Sequence, residues 1–246
     1  MASEARVEEA GPRRTQRVVL LGSYAPSLIN FRGPLIAAMA ARGHEVFAMA
    51  PDIEEDVAAK LRSLGAEPVA VPLGRTSLDP RGAMETRRAL VGLLRKIRPD
   101  VMIAYTIKPI VLGAAAAREA GVPRFIPLVT GLGYAFLGGL LPKRLLVRAA
   151  ATWMYRRAFR LSHFAIFQNE DDRRDFRRMQ ILPRGLPTGL VAGSGVDTAH
   201  YGEQPLPARL GFLMIARFLR DKGVREYGAA AMRLKREYPD VEVKLA

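Results

Sequence analysis

Two short runs constrain this chain more than any other feature. Val18-Val19-Leu20-Leu21 and Val101-Met102-Ile103-Ala104-Tyr105 are apolar at every position rather than at every second one. Side chains alternate across a strand. A run with no polar position therefore has both faces covered, as parallel strands sandwiched between helices do. The segments between such runs carry helical patterns and short connections, so the expected class is α/β: a Rossmann-like parallel sheet with helices on both sides.

The rest of the chain fits this alternation. Strands are expected at 17–21, 44–50, 67–71, 101–105, 124–129, 163–168 and 188–192. Helices are expected at about 31–41, 53–64, 80–98, 109–119, 142–161 and 170–179. Gly43, Gly65 and Gly121 sit where a helix would stop, Asp79-Pro80 opens a helix, and Asn169 caps one. Residues 1–16 read as a disordered leader, because they are polar and lack the apolar region of a secretory signal. The first domain is expected at 17–197 and a linker with Pro205 and Pro207 at 198–209. The pattern then restarts: a strand at 210–216, a helix at about 221–238 and a strand at 241–245. Residues 210–246 read as the incomplete start of a second Rossmann-like domain.

Composition excludes several chemistries. The 246 residues contain no cysteine, so disulfides, thiolate metal sites and a cysteine nucleophile are out. The formal charge is +14, and arginine supplies 31 of the 38 basic residues. Such a surface attracts polyanions: nucleic acid, an anionic membrane or phosphorylated small molecules. Nucleic acid is not expected, since there is no zinc-finger spacing, basic zipper or RNP-like strand. No apolar run reaches the roughly 20 residues of a spanning helix. Pro127–Pro142 comes nearest, and its glycines mark a loop.

Ligands of doubly wound sheets bind beyond the carboxyl ends of the strands. The informative segments are therefore the loops at 22–30, 106–109 and 130–139. After the first strand there is one glycine, Gly22, and not the G-x-G-x-x-G of a dinucleotide fold, which argues against a nicotinamide or flavin enzyme. No Walker A sequence occurs, and Ala192-Gly193-Ser194-Gly195-Val196 misses the nucleophile elbow. His44, His163 and His200 lack metal-ligand spacing and read as packing residues. Asp171, Asp172 and Asp175 alternate with arginines and read as a solvated helix face. In the helix at 142–161, Arg144, Arg148, Arg156 and Arg160 form one stripe beside Trp153. A basic helix flanked by apolar and indole groups can rest on an anionic bilayer; it can equally pack on the sheet with its basic face in water.

Several segments together resemble the retaining nucleotide-sugar glycosyltransferases of family 4, which have the two-lobed GT-B architecture. They are Gly22-Ser23, Asn30-Phe31-Arg32-Gly33-Pro34-Leu35, Ala41-Arg42-Gly43-His44-Glu45-Val46, Thr106-Ile107-Lys108-Pro109, Thr130-Gly131-Leu132-Gly133-Tyr134, Phe167-Gln168-Asn169, Gly193-Ser194-Gly195-Val196-Asp197, and Ala216-Arg217 with Asp221-Lys222-Gly223. The likeness runs over about residues 17–246 and is to a bacterial branch acting on polyprenyl-diphosphate-linked sugars. It implies transfer of a hexose or N-acetylhexosamine from a nucleotide-sugar to a lipid-linked or polysaccharide acceptor. No cofactor or metal is implied, because cations neutralise the leaving nucleotide. Gly22, Ser23, Arg217 and Lys222 would hold the donor phosphates. Asn30, Arg32, Lys108, Thr130, Gly131 and Tyr134 would face the acceptor. The family's Glu-x7-Glu element has no counterpart here, so this chain is expected to be inactive alone and to need a complementary C-terminal half. The implied place is the cytoplasm, on the inner face of the plasma membrane. A non-catalytic acceptor- or partner-binding domain and a nucleotide-sugar 2-epimerase of the same architecture are the alternatives. An epimerase needs carboxylates and histidine in its cleft.

Overall fold

A computed structural model of the chain describes residues 14–74, 80–133, 136, 142–216, 218, 219 and 222–246. The chain divides into two compact units, with the break between Gly195 and Val196.

The first unit is built on seven strands, all parallel: β1 (Arg17–Leu21), β2 (Glu45–Ala50), β3 (Ala66–Ala70), β4 (Val101–Tyr105), β5 (Arg124–Val129), β6 (Ala165–Phe167) and β7 (Thr188–Leu190), in the spatial order β3-β2-β1-β4-β5-β6-β7. The order reverses between β1 and β4, so the topological switch point lies at their carboxyl ends. Among the described residues, seven helices connect the strands: α1 (Ala25–Asn30), α2 (Gly33–Ala41), α3 (Glu55–Ser63), α4 (Pro80–Ile97), α5 (Ile107–Ala120), α6 (Pro142–Phe159) and α7 (Glu170–Arg178).

The two apolar runs behave as their pattern requires. Val19 and Leu21 of β1 enter the core beneath α4–α7, whereas Leu20 enters the core beneath α1–α3. In β4, Met102 and Ala104 face the first core and Tyr105 the second. This alternation decides where Tyr105 works. The edge strand β3 tolerates Pro68 because it pairs on one side only, with β2. At the other end of the sheet, Tyr155, Phe159, Phe167 and Phe176 stack with centroids 5.2–6.5 Å apart, locking α6 and α7 to β6. Asn169 caps α7 twice over: its Oδ1 accepts from the Asp172 amide at 2.7 Å and its Nδ2 donates to Asp172 Oδ2 at 2.8 Å. The exposed face of α7 carries the ion pairs Arg173–Glu170, Arg174–Asp171 and Arg178–Asp175, while Asp172 itself is buried.

One expectation is corrected. The segment 22–30, read as a loop, is helical over Ala25–Asn30, with Pro26 in the first turn where its fixed φ suits helix entry. Elsewhere the elements differ from expectation by a residue or a few at their ends, where helices fray into turns. Asp79, expected to cap α4, and most of the expected leader lie outside the described residues.

The second unit holds β8 (Gly211–Met214), α8 (Val224–Glu237) and β9 (Glu242–Leu245), with β8 and β9 paired in parallel. Tyr227 Oη lies 2.9 Å from the Phe212 carbonyl and 2.8 Å from that of Lys244, fastening the helix to both strands. Among the described residues, no helix is long and apolar enough to cross a membrane.

Candidate functional site

The switch point is crowded by design. Gly22 is buried immediately after β1, and its amide donates to the Met49 carbonyl at 2.9 Å. A Cβ placed on Gly22 would lie 2.3 Å from Tyr105 Oη, far inside van der Waals contact. Glycine therefore lets β1 and β4 end side by side with a tyrosine between them. Tyr105 Oη lies 2.7 Å from Ser27 Oγ, and Ser27 donates its proton to the Tyr24 carbonyl at 2.6 Å. With that proton committed, the phenol must be the donor to Ser27. Burial agrees, pushing the phenol's pKa above its ordinary value and keeping it protonated.

Arg32 lies against this tyrosine. It precedes the first turn of α2, is 5% exposed, and holds its guanidinium 5.0 Å over the Tyr105 ring. Its Nη1 donates to the Phe31 carbonyl at 3.1 Å and to Ser194 Oγ at 3.0 Å; Gln168 Nε2 approaches the same hydroxyl at 3.4 Å. Arg32 Nε is buried and has no acceptor among the described residues. Burial lowers the Arg32 pKa from its ordinary value, with Tyr105 pulling the other way. A guanidinium stays protonated in proteins. The site thus holds a buried cation that no carboxylate pairs among the described residues, and a missing acceptor costs about 1–3 kcal/mol.

The end of β4 is shaped for the same chemistry. Thr106 takes φ +67° and ψ 156°, an outlier conformation for a β-branched residue. Its Oγ1 donates to Ser23 Oγ at 2.9 Å and does not cap α5. The positive end of this 14-residue helix therefore faces the sheet edge without a side-chain cap. In the first turn, Lys108 Nζ donates to the Gly74 carbonyl at 2.8 Å, and partial burial lowers its pKa. Beside it opens a cavity of about 580 Å³ whose wall is mainly apolar, with Leu73, Ile107, Val111 and Met154 on it and Asp52, Glu85 and Lys108 as its charged groups.

The sequence-derived residues thus separate into groups. Gly22, Ser23 and Arg32 meet at the switch point, with Lys108 in the first turn of α5. Asn30 ends α1 and is exposed. Thr130 is half-buried after β5, and Gly131 is exposed at φ +145°. Lys222 is exposed in the second unit. Tyr134, Arg217 and the side chain of Arg144 lie outside the described residues. On α6, Trp153 is 58% exposed with the Arg157 guanidinium 4.9 Å over its ring. Arg148 and Arg160 are exposed. Arg156 instead donates to the carbonyls of Met179 (2.6 Å) and Gln180 (3.2 Å), closing the end of α7. Sequence reasoning gave no site role to Tyr105, Ser27, Thr106, Ser194 or Gln168, although Thr106, Gln168 and Ser194 stand in segments that carry the family resemblance, and Tyr105-Thr106 ends a largely buried strand at a switch point. Of the histidines, His44 Nδ1 accepts from the Gln16 amide and His163 Nδ1 from the Phe125 amide, as packing residues do. Among the described residues no cluster of histidines and carboxylates could hold a metal ion.

The chain is 28% identical over 238 residues to an N,N'-diacetylbacillosaminyl-diphospho-undecaprenol alpha-1,3-N-acetylgalactosaminyltransferase of Campylobacter jejuni subsp. jejuni serotype O:2, covering 89% of this chain and 61% of the relative. It therefore spans about three-fifths of that protein's length. The fold matches a sucrose-phosphate synthase from Thermosynechococcus elongatus with TM-score 0.69 at 14% identity, over 94% of this chain and 62% of the other. It also matches a UDP-GlcNAc 2-epimerase from Neisseria meningitidis with TM-score 0.57 at 15% identity, over 94% and 66%. At such identities these two likenesses establish the fold alone. The Glycosyl transferase 4-like domain matches residues 32–186, from the buried arginine to the approach of β7, and the chain belongs to that family.

Proposed function

We propose that this chain serves glycosyl transfer from a nucleotide-sugar to a sugar carried on a polyprenyl diphosphate, with net retention at the anomeric carbon. The first unit would hold the acceptor. The observation that carries this reading is the buried, carboxylate-free Arg32 at the switch point of a family 4 domain. Lys108 and the uncapped start of α5 add positive potential at the same sheet edge. Anionic oxygens of a diphosphate-linked acceptor complement all three. Arg217 and Lys222 would act on the donor diphosphate as it leaves, by electrostatic stabilisation rather than through a metal. The exposed arginines and Trp153 of α6 would bring the protein to the inner face of an anionic membrane, where such acceptors lie.

Transfer itself would require a complementary donor-binding half. The second unit supports this view: α8 buries none of its side chains, and Val241 is the only buried hydrophobic residue of that unit among the described ones. The epimerase reading needs carboxylates together with a histidine; the groups bonded around Arg32 are hydroxyls, an amide and a carbonyl, and Asp52 and Glu85 on the neighbouring cavity have no histidine among its described lining residues.

The test uses diphospho-undecaprenol-linked N,N'-diacetylbacillosamine and radiolabelled UDP-N-acetylgalactosamine as probes. The chain alone is expected to bind the acceptor and give no labelled lipid. Labelled lipid from the chain alone would overturn the requirement for a second half. Failure to bind any polyprenyl-diphosphate sugar would overturn the acceptor assignment.

A further inference from the structure

The cavity beside Lys108 does not end at the sheet edge. A second, shallower space of about 340 Å³ continues from it across the outer surface of α5, between α4 and α6. The two share four lining residues: Ala83, Val111, Leu112 and Met154. At the far end the groove opens between Met84 and Trp153, both more than half exposed, with Arg87 and Arg157 beside them. The result is one apolar trough. Its inner end has an ammonium and a helix N-terminus, and its outer end an indole flanked by guanidinium groups. Further along α6, Leu145, Leu146 and Val147 are also exposed, with Arg148 beside them.

A long apolar trough lined by helices is a poor place for a sugar, whose hydroxyls would lose water without replacement. It suits a hydrocarbon chain with an anionic head. We propose that this trough seats the first isoprenoid units of the lipid carrier. The diphosphate would lie at Lys108 and the start of α5, and the chain would run over Val111, Leu112 and Met154 to leave past Trp153 toward the bilayer. The combined space falls in the range of about 300–1,000 Å³ typical of small-molecule sites. Asp52, just beyond β2, and Glu85, on α4, are exposed carboxylates lining the same cavity, and they confine an anionic head group to the Lys108 end of its wall. The inference rests on the proposed acceptor reading and extends it, because it assigns the lipid, and not only the sugar, to this unit.

Trp153 is the only tryptophan of the chain, so its fluorescence reports on the trough directly. The probe is farnesyl diphosphate below its aggregation concentration, titrated into the whole chain beside inorganic diphosphate and phosphatidylglycerol vesicles. Farnesyl diphosphate is expected to change the Trp153 emission saturably, and to bind at least about tenfold more tightly than inorganic diphosphate. Val111→Phe, which fills the trough, and Met154→Gln, which makes it polar at constant size, should each weaken binding several-fold while the thermal transition is kept. If Val111→Phe fails to fold, Met154→Gln alone decides. Equal affinity for farnesyl and inorganic diphosphate would overturn the proposal, as would unchanged binding by a folded variant. So would a Trp153 response to vesicles with none to farnesyl diphosphate, which would make α6 a membrane-resting surface only. Sugar transfer in a reconstituted enzyme without prenyl binding here would strike this inference and leave the acceptor reading standing. Prenyl binding without acceptor-sugar recognition would do the reverse.

Discussion

The two units are written in the same strand–helix–strand pattern, yet they use it to opposite ends. In the first, both faces of the sheet are covered, and residues such as Leu20, Leu21 and Phe176 are fully buried. In the second, Phe212, Leu213, Ile215 and Met232 are 45–78% exposed. An apolar pattern states which side chains seek cover; whether they find it depends on how many neighbouring strands and helices are present. The first unit can hold side chains still enough to build a site around a buried cation.

Truncations should separate the units most sharply. Phe176→Ala removes a ring from the aromatic stack and is expected to cost about 3–5 kcal/mol in urea unfolding. Leu213→Ala, 60% exposed, should fall within about 0.5 kcal/mol. A comparable loss at Leu213 would mean that the second unit is packed as the first is. Next in size is Gly22→Ala, whose Cβ would meet Tyr105 Oη at 2.3 Å; a loss of about 1–3 kcal/mol is expected, read by the same denaturation. Limited proteolysis should cut first within 196–210, where every residue is exposed, and leave a stable fragment ending near Gly195. Early cleavage within β1–β7 would reverse the contrast. Within the first unit, the smallest expected change in stability is Arg32→Met. An unpaired buried cation replaced by an apolar chain of similar length should shift unfolding by no more than about 1 kcal/mol in either direction.

Much of this was legible from residues alone, for physical reasons. The strands 17–21, 101–105 and 124–129 are bounded as expected because each is an unbroken apolar run, led by Arg17 in the first and Arg124 in the third, between turn residues. Helix α1 was hidden because Ser23, Pro26 and Asn30 read as loop formers, though Pro26 sits where a helix accepts it. The site was harder. Gly22 could be singled out, but its reason, the hydroxyl of Tyr105, lies 83 residues away. Arg32 carried the ambiguity of any arginine in a chain with 31 of them. Its burial comes from Ser194, 162 residues on, and from the face that Tyr105 takes in β4. Contacts of that span leave no local pattern. Arg156 illustrates the opposite error: the helical stripe was real, but one of its members turns back to close α7.

The central claim is that Arg32 is an anion receptor and not merely a packing residue. It is tested by calorimetric titration of the chain and of Arg32→Gln with diphospho-undecaprenol-linked N,N'-diacetylbacillosamine, with thermal melting followed in parallel. The account predicts binding by the chain and a loss of at least about tenfold in Arg32→Gln at an unchanged transition temperature. Equal affinity in the two proteins would contradict it.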